Sequence, residues 1–250
     1  TVACDENGRA AYALEASIFV AGAAIQWLRD GLGILDNAAE SERLARSLES
    51  NDGVYFVPAL VGLGAPNWEP KARGTIVGLT RGTGRAHFAR AALEAMAYGT
   101  AEMLTVMAKR GKVTFESLRV DGGASANNWL LQFQSDVLGI GVERPDMIET
   151  TALGAAGLAG IAGGVWKDAT EFIGTRQFTR FAPVMARESA VGLMAEWQRA
   201  VRAALSWARD PGPPEKKGAG RKSKTRSRLM HKSKSLRSAR KPKQGRGRPK

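Results

Sequence analysis

Leu118-Arg-Val-Asp-Gly-Gly-Ala-Ser-Ala-Asn-Asn128 leaves a short apolar strand, passes two glycines and enters a stretch in which Trp129, Leu131 and Phe133 supply the apolar residues of a helix. Gly122 and Gly123 have no Cβ, so the backbone can turn tightly there and a flat or charged ligand can come close. The helix start beyond them presents unpaired amides to such a ligand. Asn127, near the first turn, carries a carboxamide suited to a ribose or a base. A strand-Gly-Gly-helix run describes a plain tight turn equally well, so by itself it leaves both readings open. It is not G-x-G-x-x-G, and the chain has no G-x-x-x-x-G-K-[ST]; dinucleotide-fold and P-loop readings are excluded.

Outward from this stretch, strands and helices alternate. The pattern predicts a strand over Ser117 to Val120, a helix over Ala126 to Leu138, a strand over Gly141 to Arg144 and a helix over Thr151 to Gly163, which is the signature of an α/β domain. Upstream, Phe88, Ala92, Ala95, Gly99, Met103 and Val106 recur at spacings of three and four and predict one long core helix from Arg85 to Lys109. Glu94 and Glu102 on that helix read as surface groups, and His87 near its start reads as structural. Thr1 to Cys4 and Ala11 to Leu14 read as a hairpin around Asp5-Glu-Asn-Gly8. A helix is expected from Ser17 to Asp30, where Gly22 and Gln26, four apart, share a face. That pair suits an adenine edge, and Gly22 suits close helix packing as well. A polar helix over Asn37 to Leu48 and a short strand at Val54 to Val57 lead to Gly62-Leu-Gly-Ala-Pro-Asn-Trp-Glu-Pro-Lys-Ala-Arg-Gly74, a loop too rich in Gly and Pro for a regular element. Trp68 within it is expected to anchor the loop to its own lobe. A strand at Thr75 to Leu79 follows, and an amphipathic helix over Glu188 to Ala208 closes the predicted globular part.

Composition sets further bounds. The 250 residues are 44% apolar and 24% charged, ordinary for a protein with a buried core. Cys4 is the single cysteine, which excludes a disulfide framework and, with His87 and His231, a conventional zinc site. A reducing cytoplasm is the expected compartment. Ala152 to Val165 is shorter than a membrane span and reads as a buried helix whose Gly157, Gly160 and Gly163 allow close packing; no membrane contact is expected. The net charge of +13 belongs to the end of the chain: 16 of the last 40 residues are Lys or Arg and only Glu215 is acidic, whereas residues 1 to 210 sum to −2. Residues 211 to 250 have too few apolar groups to offset ordering and are expected to be a disordered basic tail, distinct from a domain over residues 1 to 210. Arg246-Gly-Arg-Pro249 in the tail resembles an AT-hook, an extended element for the minor groove of A·T-rich DNA. Sixteen cations would also bind polyanions non-specifically. The opening Thr1-Val-Ala-Cys4, with no Met, looks like mid-strand, and further chain is expected upstream.

Four ordered segments carry a resemblance. Tyr12-Ala-Leu-Glu15, Ala21-Gly-Ala-Ala-Ile-Gln-Trp-Leu-Arg-Asp30, the loop Gly62 to Gly74 and Arg119 to Asn128 resemble the C-terminal half of the FGGY carbohydrate kinases, most closely the branch that phosphorylates glycerol. Gly74-Thr-Ile-Val-Gly-Leu79, followed after seven residues by His87-Phe88 and then Ala91-Ala-Leu-Glu94, fits the signature those kinases share. The resemblance implies an actin-like fold of two ribonuclease-H-like lobes with ATP between them, this chain being the second lobe, a mixed sheet flanked by helices. It implies that Gly22, Gln26, Gly123 and Asn127 contact the nucleotide, that ATP and Mg²⁺ are the cofactors, that glycerol is the substrate of the complete enzyme and that homo-oligomers form. It places the polyol-binding side chains and the catalytic Asp upstream of Thr1. The family's N-terminal phosphate turn and its phosphate-closing Gly-Thr-Gly segment are read as absent. A lone lobe is then expected to be inactive. Two other readings stay open: a kinase of the same family acting on a pentulose or related polyol, and a non-catalytic nucleic-acid-binding protein working through the tail.

Overall fold

The computed structural model describes residues 1–4, 8–174, 176–210 and 212. The chain divides into Thr1–Asp210 and Pro211–Lys250. The expectations for the basic tail and for the hairpin turn at 5–7 lie outside the described residues.

The long apolar face predicted around Ala92 and Ala95 becomes α3, Arg85–Gly111, the axis on which the first unit is built. Its residues Ala91, Ala92, Leu93, Ala95, Ala97 and Tyr98 are buried. Against it pack α1 (Ala23–Asp30), α2 (Glu40–Arg46), α4 (Asn128–Leu138) and α7 (Arg187–Arg209). Aromatic side chains lock the contacts: Tyr98 of α3 stacks on Trp197 of α7 at 5.3 Å and meets Phe133 of α4 edge-on at 5.6 Å. Such pairs add about 1 kcal/mol each to the burial of their area.

Among the described residues the strands form three separate sheets. β1 (Val2–Cys4) and β2 (Ala10–Tyr12) pair antiparallel, as do β3 (Tyr55–Val57) and β4 (Thr75–Val77). The third sheet is mixed: β5 (Ser117–Arg119) runs parallel to β6 (Gly141–Pro145), which pairs antiparallel with β7 (Phe178–Phe181). The parallel pair is joined through α4, as the alternating pattern requires. Two further helices, α5 (Thr150–Ala162) and α6 (Ala169–Gly174), lie between β6 and β7.

Several sequence expectations are corrected. Helix α1 starts at Ala23, not Ser17, because Gly22 is its N-cap residue and residues 19–21 form bends ahead of it. α6 and β7 were not predicted; each is short and carries no strong period. α5 is not a buried helix. Gly157 is its only buried residue, and Gly157 and Gly160 serve as seats for the rings of Phe172 and Trp166. Trp68 does not anchor its loop; it is 70% exposed.

Glu94 is not at the surface either. It is 1% exposed, and its carboxylate accepts from Arg90 Nε at 2.8 Å, Asn51 Nδ2 at 2.7 Å and Tyr98 Oη at 3.1 Å. Asn51 brings the end of the α2–β3 connection onto α3, so the buried charge ties the two together. Burial pushes the Glu94 carboxyl above its ordinary value of 4.5, outweighing the three donors that pull it down. A raised carboxyl stabilises the fold most below its unfolded value, and that contribution fades as pH rises through the folded value. Urea unfolding of wild type and Glu94→Gln at about pH 4 and about pH 7 should therefore show the wild type losing stability relative to the variant on going to the higher pH.

Candidate nucleotide site

The turn after β5 is built by hydrogen bonds its own sequence supplies. Gly122 takes φ +74°, a left-handed value that a side chain would strain, and its N–H donates to the Ile148 carbonyl at 2.8 Å. Ser125 Oγ donates to the Gly122 carbonyl at 2.7 Å and closes a single 3₁₀ turn, Gly123–Ala126. From β6, Arg144 reaches over this turn: its Nη1 donates to the Ser125 carbonyl and to Asn128 Oδ1, both at 2.9 Å. α4 then begins at Asn128, capped by Asn127, whose Oδ1 accepts from the Leu130 N–H at 2.9 Å.

The start of α1 lies beside that turn. A Cβ built on Gly22 would stand 3.9 Å from Ala124 Cβ, ordinary contact distance. Between them opens a cavity of about 580 Å³ lined by Gly22, Ala23 and Gln26 of the α1 region, by Ala38, Ser41 and Glu42 around α2, by Leu93 and Met96 of α3, and by Gly123 and Asn127. That volume falls within the few hundred to a thousand Å³ typical of small-molecule sites. All four residues singled out in the sequence line this one cavity. Gly123 is exposed and a Cβ on it would meet no atom within 4 Å, so a bound group can approach the backbone there. Gln26 is exposed, and among the described residues no hydrogen bond holds its carboxamide. At the start of α1 the Ala24, Ile25 and Gln26 N–H groups donate to the Ala21 and Gly22 carbonyls, while the 3₁₀ turn leaves the amides of its first residues without intrahelical partners.

Asn127 differs from its expected use. Its oxygen is committed to the α4 cap, and its Nδ2 lies 3.4 Å from Ser41 Oγ. It shapes the cavity wall first and can offer a ligand only its amide hydrogens. Asn127→Ala should lower stability by about 1 kcal/mol, the usual cost of a lost cap, measurable by urea unfolding with no nucleotide present.

Ser41 and Glu42 were missed. They belong to a polar helix whose sequence carries no ligand signal, and they reach the site because α2 packs on both α3 and α4. Glu42 is the one carboxylate among the cavity-lining residues. It is already engaged: Oε2 accepts from the Asn128 N–H at 3.2 Å, and Oε1 accepts from Arg46 Nη2 at 2.8 Å.

A Gly-Thr-Gly tripeptide does occur, at Gly82-Thr83-Gly84. It is not part of the cavity lining. Thr83 Oγ1 accepts from the Thr80 N–H at 2.9 Å, and the Gly84 N–H donates to His87 Nδ1 at 3.0 Å, so the tripeptide forms the turn that starts α3. His87 is structural here, as expected.

Residues 1–163 match the model of the C-terminal domain of the FGGY family of carbohydrate kinases. The chain belongs to that family. Among curated proteins it is 55% identical over 208 residues to glycerol kinase 2 of Thermotoga maritima, a match covering 83% of this chain and 42% of that protein. It is 55% identical over 211 residues to the glycerol kinase of Burkholderia multivorans, covering 84% of this chain and 42% of the relative. The chain thus spans about two fifths of the length of these FGGY relatives. Among solved structures it resembles Plasmodium falciparum glycerol kinase with ADP, at 33% identity and a TM-score of 0.68, covering 76% of this chain and 38% of that one. Xylulose kinase of Rhodospirillum rubrum, 23% identical with a TM-score of 0.64, shares the fold. The expected α/β architecture, the C-terminal domain of an FGGY kinase with a mixed sheet flanked by helices, is the one observed.

Proposed function

We propose that this chain is the nucleotide-binding lobe of a glycerol kinase, that its cavity beside Gly22, Gln26, Gly123 and Asn127 takes the adenine nucleotide, and that the complete enzyme transfers the γ-phosphoryl group of ATP to glycerol. The observation that carries this reading is the convergence of two residue pairs, about a hundred positions apart in sequence, on one cavity of nucleotide size. The chemistry of the walls supports it. Leu93, Met96 and the small side chains offer apolar contact to a base, Gln26 offers its carboxamide to a base edge, and Gly123 and Ala124, which line the same cavity, offer close backbone approach to phosphates. Mg²⁺ fits this arrangement as a companion of the phosphates. Among the described residues no three His, Cys, Asp or Glu side chains are grouped to hold a metal, and Mg²⁺ on a nucleotide keeps mostly phosphate and water ligands. The ion would supply charge neutralisation of the transferring group.

The lobe binds and orients; it does not take the proton from glycerol. Glu42 caps α4 and pairs with Arg46, so the cavity holds no unengaged carboxylate to act as base. Phosphoryl transfer depends on positioning both substrates, and one wall of the cleft cannot position the acceptor. Titration of the chain with ADP should give saturable 1:1 binding, while a coupled assay with MgATP and glycerol should give no consumption above background. Absence of ADP binding overturns the first part, and glycerol-dependent turnover overturns the second. Cytoplasmic location follows from the same reading, since ATP and glycerol meet there; no helix among the described residues is long and apolar enough to cross a membrane. Homo-oligomerisation belongs with the complete enzyme.

The basic end supports a second, independent contact. Its 16 Lys and Arg residues against one Glu should retain duplex DNA with a strong salt dependence. Deleting residues 211–250 is expected to abolish that retention in a gel-shift assay; retention by the truncated chain would assign it elsewhere.

A further inference from the structure

The Gly123–Ala126 turn ends in carbonyls that the backbone leaves unpaired. Its earlier bonds are internal: the Ser125 N–H donates to the Gly122 carbonyl at 3.0 Å and the Asn127 N–H to the Ala124 carbonyl at 3.2 Å. The Ser125 and Ala126 carbonyls come next, at the junction with α4, and among the described residues no backbone amide donates to either. Two neighbouring amides are already taken: the Asn128 N–H donates to Glu42 Oε2 at 3.2 Å, and the Leu130 N–H to Asn127 Oδ1 at 2.9 Å. Arg144 fills the gap from β6. Its Nη1 donates to the Ser125 carbonyl at 2.9 Å, to the Ala126 carbonyl at 3.3 Å and to Asn128 Oδ1 at 2.9 Å, so one nitrogen grips both sides of the junction. Its guanidinium carbon lies 5.6 Å from the centre of the Phe181 ring of β7, a cation–π contact that steadies the side chain.

Arg144 does this from behind the nucleotide cavity, whose lining it does not join. It lines instead a separate recess of about 300 Å³ with Pro145, Asp146, Ile148 and Thr179, and Ala126 alone borders both spaces. The turn is thus a thin wall with the cavity on one face and Arg144 on the other. Peptide units are planar, so pinning a carbonyl oxygen fixes the orientation of its whole unit. We propose that Arg144 is a positioning residue for the nucleotide, acting without contact with it: by pinning the Ser125 and Ala126 carbonyls and Asn128, it holds the Gly123–Ala126 turn in the shape the ligand meets. The inference rests on the reading of the cavity as a nucleotide site and adds a residue outside its lining.

Isothermal titration of the full chain with ADP compares wild type with Arg144→Met, which keeps an unbranched stem against Phe181 and removes every donor. The variant should bind ADP about tenfold more weakly, since two carbonyls lose their partner. All three bonds leave one nitrogen, so an ammonium with three donors can replace them; Arg144→Lys, one bond shorter, should bind only about threefold more weakly than wild type. Gly53→Ala, strained at a turn outside the cavity lining, is the control for lost stability alone and should bind ADP as wild type does. Backbone amide resonances of residues 123–128, followed without ligand, report on the turn itself: they should move in Arg144→Met and return towards wild type in Arg144→Lys. Unchanged ADP affinity in Arg144→Met, an equal loss in Gly53→Ala, or a lysine variant no better than methionine would each overturn the proposal while leaving the nucleotide site standing. A wild-type chain that takes up no ADP would sink the nucleotide reading, and the proposal with it. Should Arg144→Met not fold, the lysine variant decides, and wild-type affinity there would contradict the assignment.

Discussion

Gly123→Leu is expected to weaken ADP binding about 100-fold, roughly 2.7 kcal/mol, without destabilising the chain. The reason is geometric. Gly123 begins the 3₁₀ turn with an ordinary backbone conformation, and a Cβ there meets nothing within 4 Å. A side chain at this position therefore costs the fold little, and relief of glycine's unfolded-state entropy should add about 0.5 kcal/mol to stability. The same side chain grows into the space through which a nucleotide would reach the backbone amides. Isothermal titration with ADP, alongside urea unfolding, separates the two effects. Weaker binding at equal or greater stability is the expected pair, while unchanged binding would move the ligand away from Gly123.

The second large effect is structural. Gly78 follows β4 with φ +82°, and a Cβ added there would lie 1.8 Å from the Gly53 carbonyl oxygen. Neither atom can yield without moving backbone, because Gly53 leads into β3, which is buried and registered against β4 from Tyr55–Val77 to Val57–Thr75. Gly78→Ala should therefore cost about 4 kcal/mol, at the severe end of single substitutions. Gly53→Ala gives the contrast. Its φ of +79° is equally left-handed, but a Cβ there has open space, so only the backbone strain of about 1–2 kcal/mol should appear. Thermal or urea unfolding of the two variants reads the difference, and similar costs for both would show that the contact with Gly53 does not govern this turn.

Much of this was legible in the residues. The α3 face was visible because Phe88, Ala92, Ala95, Gly99, Met103 and Val106 recur at a helical period, and the strand-Gly-Gly-helix run was visible because Gly122 needs the conformation only glycine adopts freely. Gly22 and Gln26 could be paired from spacing, and joined to Gly123 and Asn127 through the resemblance, but the cavity they share could not be read, since it is set by how α1 and α4 lean on α3. Glu94 was misread for a related reason: with Arg90 one turn away on the same helix it looks like a solvated surface pair until Asn51 is brought against it by a tertiary contact. Ser41 and Glu42 carried no signal because their helix has an ordinary amphipathic surface, and their role comes from its neighbours. α5 misled in the opposite direction. Its composition speaks of an interior, yet every residue of it but Gly157 is partly or fully exposed.

The proposed nucleotide site is tested most directly by following backbone amide resonances of the isotope-labelled chain during an ADP titration. Gly22, Gln26, Gly123 and Asn127 are expected to shift together, with one shared dissociation constant, while residues of α5 and β7 stay in place. Shifts clustered away from these four, or four residues that respond with unrelated affinities, would contradict a common nucleotide site.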